Sequence, residues 1–170
     1  DADPTLSYLD LTTAGRAQWT KYMWKRFDLA KTIGCDGVDP VYNDTFQVDT
    51  GFTVSVSEQF SWFADIVKQL HDRELSAGLH NGDTIPDLVD TSADTYDWML
   101  IERCGEIDCS STRPFIDRRR VVFAVDYDTD VDNMPQNETG LCLTQQRAQI
   151  SEGLVKDSPP SKNKRVQCQP

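Results

Sequence analysis

The sequence predicts an α/β fold in which a largely parallel sheet is covered by helices. Short, near-continuous apolar runs alternate with stretches whose apolar residues recur every third or fourth position. Several of the apolar runs end on a polar residue, namely Asp10, Asp39, Asn81, Glu102 and Asp126. In parallel α/β architectures the carboxyl ends of the strands form the active face, so a shared polar cleft explains the five better than chance caps do. The 170 residues, 38% hydrophobic and 26% charged, suit one folded domain.

The elements follow in order. Ser7-Tyr8-Leu9-Asp10-Leu11 is short and apolar and reads as a first strand. Trp19, Met23, Phe27, Ala30 and Ile33 fall on one helical face, and Gly34 is placed to end that helix as its C′ residue. Gly37 to Val41 reads as a second strand, with Pro40 tolerable only near its end. Ser55-x-x-Glu58 is a capping box ahead of Phe60, Phe63, Val67 and Leu70 at helical spacing. Ser76 to His80 is a third strand, Ile85 to Val89 a short helix, and Trp98 to Ile101 a fourth strand running into Glu102. Arg120 to Val125 is a fifth strand. Thr144 to Val155 reads as a last helix, broken by Ser158-Pro159-Pro160-Ser161. No internal repeat and no low-complexity tract is present.

Charge narrows the function. With 17 Lys+Arg against 28 Asp+Glu the formal net charge is -11 and the pI is near 4.5. That balance argues against nucleic acid and against an anionic membrane surface, both of which need basic patches. No apolar run approaches the ~18 residues that span a bilayer. The opening Asp-Ala-Asp-Pro carries neither an initiator Met nor a signal-peptide core, so a mature, processed or partial chain is expected.

Five cysteines bear on the compartment. Cys104 and Cys109 are near enough to close a small loop, and Cys142 and Cys168 bracket the C-terminal tail, so residues 158–170 are expected to be tied by a disulfide. Those pairings leave Cys35 as an odd buried thiol. Two sequons, at Asn43 and Asn137, point with the cysteines to a secreted or extracellular protein. Two histidines and no CxxC pair make a zinc site unexpected. The run Asp126-x-Asp128-x-Asp130-x-Asp132, counted from Asp128, fails the EF-hand template, with Asn133 at position six and Glu138 one residue short of position twelve. It reads as a solvated acidic loop. No Gly-rich phosphate loop is present and the serines lack a base constellation, so neither metal nor cofactor is expected.

The order of motifs resembles the endo-α-1,4-polygalactosaminidase family of glycoside hydrolases. The resemblance runs through Asp28-Leu29-Ala30-Lys31, Gly34-Cys35-Asp36-Gly37-Val38-Asp39-Pro40, Gly51-Phe52 and Gly78-Leu79-His80-Asn81. It continues through Glu102-Arg103-Cys104 with Cys109, Phe123-Ala124-Val125-Asp126-Tyr127, and Lys156-Asp157 with the final Cys168. It implies a (β/α)8, TIM-barrel-like domain over residues 1–170 that acts on galactosamine-containing polysaccharide. The five strands then correspond to the last five of eight. A TIM barrel needs ~250 residues, so the N-terminal strands are expected on a preceding stretch, a cleaved chain or a partner chain that completes the barrel.

Glycoside hydrolysis uses two carboxyl groups, one to protonate the leaving oxygen and one as nucleophile or base. Glu102 matches the family's strand-end glutamate; partial burial is expected to raise its pKa and suit it to acid/base work. The alternative is a structural ion pair with Arg103 or Arg113. After the family's proline the pattern is Asp-Asn, whereas Val41-Tyr42 stands here. Asp39 and Asp44 remain as candidates for the second carboxylate, and a glycan on Asn43 would stand over the cleft mouth. Asp10, His80, Asn81, Asp126 and Tyr127 are the candidate substrate-binding residues, His80 replacing a family lysine and Asp126 a family glutamate. Trp98 and Tyr96 offer rings to a sugar but fit the core better. The chain therefore reads as a secreted glycoside-hydrolase-like protein that acts on or binds such a polysaccharide. The alternative is a non-catalytic structural glycoprotein or assembly subunit on the same barrel.

Overall fold

The computed structural model describes residues 7–41, 43, 45–82, 85–106, 108–128, 138–157, 160 and 165–168. It divides into two compact units, Asp1–Ala77 and Gly78–Pro170.

In the first unit two helices pack through aromatic side chains. Helix α1, Thr13–Thr32, starts where the Thr12 hydroxyl accepts from the Gly15 amide and ends at Ile33, followed by Gly34 in the left-handed region at φ +87°. Helix α2, Val56–His71, opens on the expected capping box: the Ser55 hydroxyl accepts from Glu58 N, and the Glu58 carboxylate accepts from Ser55 N at 3.0 Å. Its apolar stripe buries Trp62, Phe63, Ile66, Val67 and Leu70. The rings of Trp19 and Trp24 meet Trp62 at 5.0 and 5.5 Å. Buried Arg16 ties the two helices by pairing with Asp65 at 3.0 Å and donating to the Ser61 hydroxyl. Ile33, expected on the inner face of α1, is 69% exposed because the helix has ended there.

Two expected strands change in this unit. Residues 7–11 form no strand: the Asp10 carboxylate accepts from Thr12 N at 2.9 Å and its carbonyl from the Trp19 indole at 2.8 Å, so the segment serves as the entry to α1. Strand β1 is only Gly37–Val38, since Pro40 has no amide to extend the ladder. It runs parallel to the start of β2, Ser76–His80, with Gly37 opposite Ser76. Cys35, expected to be buried, is exposed.

The second unit holds the end of β2, helix α3 (Pro86–Ser92), β3 (Trp98–Glu102), helix α4 (Arg113–Asp117) and β4 (Val121–Asp128). Helix α5 (Glu138–Arg147), β5 (Glu152–Asp157) and β6 (Val166–Cys168) complete it. Strands β2 to β5 are parallel neighbours in that order, and β6 lies antiparallel on β5. One sheet face is closely packed, burying Leu79, Met99, Ile101, Val122, Ala124 and Val155. The other face carries the alternate residues and stays partly open, with Val121 and Phe123 exposed.

The last expected helix is overturned. α5 stops at Arg147, where Gln149 takes φ +63° and the Ile150 amide returns to the Gln145 carbonyl. Residues 152–155, read from sequence as the end of a helix, belong to the parallel strand β5, Glu152–Asp157. Among the described residues there are again five parallel strands, with a different membership: residues 7–11 leave and Glu152–Asp157 enters. Both expected disulfides form. Cys104–Cys109 closes the loop after β3, and Cys142–Cys168 ties α5 to β6 and so anchors the tail.

Candidate active site

Register decides which side chains meet. His80 lies opposite Leu100, and Glu102 opposite Val125, so alternation puts His80, Glu102 and Tyr127 on the same, partly open face of the sheet. They climb diagonally across the carboxyl ends of β2, β3 and β4. Glu102 is the centre of the group. The Tyr127 phenol donates to its Oε1, and the His80 Nε2 stands 3.4 Å from its Oε2.

The backbone is shaped to hold that carboxylate. Asn81 sits at φ +54° just past β2, its amide donating to the Leu100 carbonyl and its side-chain oxygen accepting from Glu102 N, both at 2.8 Å. Asparagine is among the few residues that tolerate this region, so the Asn after the strand has a mechanical reason. Arg103 likewise turns out of β3 at φ +61°, its amide donating to Val125 O at 2.9 Å. Its guanidinium lies over the Tyr127 ring, 4.9 Å from the centroid, and pairs with Glu106 at 2.9 Å. Sequence reasoning gave Arg103 only the role of a partner for Glu102; the signal missed was its place directly after a strand-end glutamate.

Electrostatics reverse one expectation. Burial pushes the Glu102 pKa up, but the hydrogen bonds from Tyr127, His80 and Asn81 outweigh it and hold the carboxyl below the ordinary glutamate range. Glu102 is therefore an anion at neutral pH, suited to binding a cation or acting as base or nucleophile rather than as resting acid. Burial, then the bond to Glu102, pushes the Tyr127 phenol up to about 12, so it stays a donor.

Asp126 stands apart. It belongs to the opposite, packed face, fully buried, and its carboxylate accepts from Gly105 N at 2.9 and 3.1 Å and from the Gln145 amide of α5. Period-two alternation turns it away from its neighbour Tyr127, which is why adjacency in sequence did not make them site partners. Gln145 was not foreseen; its place four residues after buried Leu141 was the available signal.

The remaining expected residues fall elsewhere. Asp10 caps the entry to α1, and Asp39 follows β1 in the first unit. Val41 is 52% exposed. Asn43 is buried at 7% exposure, its amide nitrogen donating to Pro40 O at 3.2 Å. Asp44, Asn137, Asp130 and Asp132 lie outside the described residues. Tyr96 is buried as core, whereas Trp98 lies on the open face, against Gly78 and edge-on to Phe123. Among the described residues no group of three or more His, Cys, Asp or Glu side chains could hold a metal ion. No described helix is long and apolar enough to cross a membrane.

No curated protein matches this sequence. Among solved structures, the crystal structure of Aspergillus fumigatus Ega3 in complex with galactosamine is similar, at 24% sequence identity and a TM-score of 0.77. The match covers 99% of this chain and 67% of that one, and establishes the α/β, TIM-barrel-like fold. The family model of the glycoside hydrolases of family GH114 matches residues 5–168, from ahead of α1 to the end of β6 and through every strand-end residue described above, and the chain belongs to that family.

Proposed function

We propose that this chain is a secreted glycoside-hydrolase-like protein that binds galactosamine-containing polysaccharide at Glu102, with hydrolysis impaired because Val41 stands in place of an aspartate. The observation that carries it is the Glu102 carboxylate, kept anionic on an open strand-end face by Tyr127, His80 and Asn81. Galactosamine presents an ammonium group, for which a fixed carboxylate is the complementary partner. The net charge of -11 adds a long-range attraction for such a polycation. The galactosamine bound by the Aspergillus protein of like fold supports the same ligand.

His80 and Tyr127 are the polar neighbours through which a sugar hydroxyl would be read, and Asn81 holds Glu102 in place. Cleavage needs a second carboxylate, which Asp39 or Asp44 would have to supply. Two disulfides support an oxidising, extracellular setting. We infer that a further segment or chain completes a single barrel domain; the exposed Val121 and Phe123 on the open sheet face support this.

The test is calorimetric titration of galactosamine oligosaccharides into the protein and into Glu102→Gln, with cleavage followed by mass spectrometry. Binding that Glu102→Gln weakens, with little or no shortening of the oligomer, is expected. Equal binding by both proteins, or none by either, would sink the proposal.

A further inference from the structure

The loop that follows Glu102 is pinned to both faces of the end of β4. On the open face, Arg103 lies over the Tyr127 ring. On the packed face, the Gly105 amide is held by the Asp126 carboxylate, which Gln145 of α5 holds in turn. Two glycines leave room for this bridge. A Cβ at Gly105 would come within 2.4 Å of the Asp126 Oδ2, and one at Gly153 within 1.7 Å of the Gln145 Oε1. A buried carboxylate carries a desolvation penalty unless hydrogen bonds answer it. Burial raises the Asp126 pKa, against the Gln145 and Gly105 bonds that lower it, and no cation is among its hydrogen-bond partners.

We propose that Asp126 is a positioning residue: by gripping Gly105 it fixes the loop that lays Arg103 on Tyr127, and so keeps the Tyr127 phenol aimed at Glu102. Asp126 acts from behind the sheet and does not reach the open face. Its role is geometric, so an amide of the same shape serves as well. The carbonyl of an asparagine accepts from Gly105 N. Its amide then faces Gln145, whose buried Oε1 has no partner among the described residues and turns inward to accept.

The experiment follows the Glu102 carboxyl carbon by NMR through an acid titration, assigned with Glu102→Gln, and measures galactosamine-oligosaccharide affinity alongside. The affinity arm rests on the proposed function; the titration arm needs no sugar. With Asp126→Ala, the Glu102 titration is expected to move up toward the ordinary glutamate range and affinity to fall, by about tenfold for one weakened hydrogen bond to a charged group. Asp126→Asn is expected to change neither. A folded Asp126→Ala with a lowered Tm and an unmoved Glu102 titration makes Asp126 merely structural and overturns the proposal, as does an Asp126→Asn that behaves like Ala. If Asp126→Ala does not fold, Gly105→Ala, whose methyl displaces the carboxylate, carries the same expectation. Absence of sugar binding in the natural protein counts against the proposed function and leaves the titration result standing.

Discussion

The Tyr127 phenol donates its hydrogen bond to the Glu102 carboxylate from the neighbouring parallel strand, one pleat further along. A neutral donor on a half-buried anion stabilises the charged form, and it is the strongest of the groups holding the Glu102 pKa below its ordinary value of 4.5. Because the folded pKa is depressed, the bond contributes stability above about pH 4.5, and that contribution fades as pH falls through the folded value. Tyr127→Phe is therefore expected to raise the Glu102 titration midpoint. It is also expected to lower Tm near pH 7 by more than at pH 3. A pH-independent Tm difference would show that the phenol contributes packing alone. Carboxyl-carbon NMR and thermal melts across pH check both.

The buried Asn43 bears on glycosylation. Its amide nitrogen, the atom a glycan would occupy, is directed at the Pro40 carbonyl, and the side chain is 7% exposed. A sugar on that nitrogen would require the side chain to give up its bond to Pro40. Enzymatic N-glycan removal from protein made in a secretory host is expected to leave the peptide carrying Asn43 unchanged in mass. A deamidation mark at Asn43 after that treatment would contradict the packing.

The lost strand at residues 7–11 and the gained strand at Glu152–Asp157 show what was legible and what was not. Strands Ser76–His80 and Trp98–Glu102 were visible because both are short apolar runs bounded by polar residues. Strand Glu152–Asp157 was hidden because Ile150 and Leu154 stand four apart, as on one face of a helix, and the break at Gln149 rests on a left-handed residue that is not glycine. The site divides the same way. The family motif and the strand-end position pointed to Glu102, His80 and Tyr127. The inward turn of Asp126 and the grip of Gln145 depend on exact register and on a helix end that periodicity misplaced.

The Cys142–Cys168 disulfide turns a weak edge into a fixed one. Strand β6 has three residues, and its core contact is the small cluster of Leu141, Val155 and Cys168. The bond spans a sequence separation of 26 residues, for which loop entropy alone gives about 3.5 kcal/mol. Cys142→Ser with Cys168→Ser is expected to lose on the order of 3 kcal/mol in denaturant unfolding and to expose the tail to proteolysis. The Glu102 titration stays as it was, since the Glu102 group hangs on β2, β3 and β4. A shift of that titration would mean that β6 supports the site after all.

On the proposed function, Val41 is the position whose exchange separates a hydrolase from a binding relative. Glu102 is anionic at rest, and protonating a leaving oxygen while attacking the sugar takes two groups, which one carboxylate cannot be at once. Where the family pattern has aspartate, Val41 offers a methyl-tipped side chain, 52% exposed, with nothing to donate or accept. An exposed position tolerates exchange within about 0.5 kcal/mol, so Val41→Asp tests chemistry rather than folding. The variant is expected to shorten galactosamine oligomers at least about tenfold faster than the natural protein, a gain of about 1.4 kcal/mol in the barrier. Adding Glu102→Gln to Val41→Asp is expected to abolish the gain. A folded Val41→Asp that binds the oligomer and cleaves no faster would show that the missing aspartate is not what limits this site, and Asp39 or Asp44 would then be the residues to exchange.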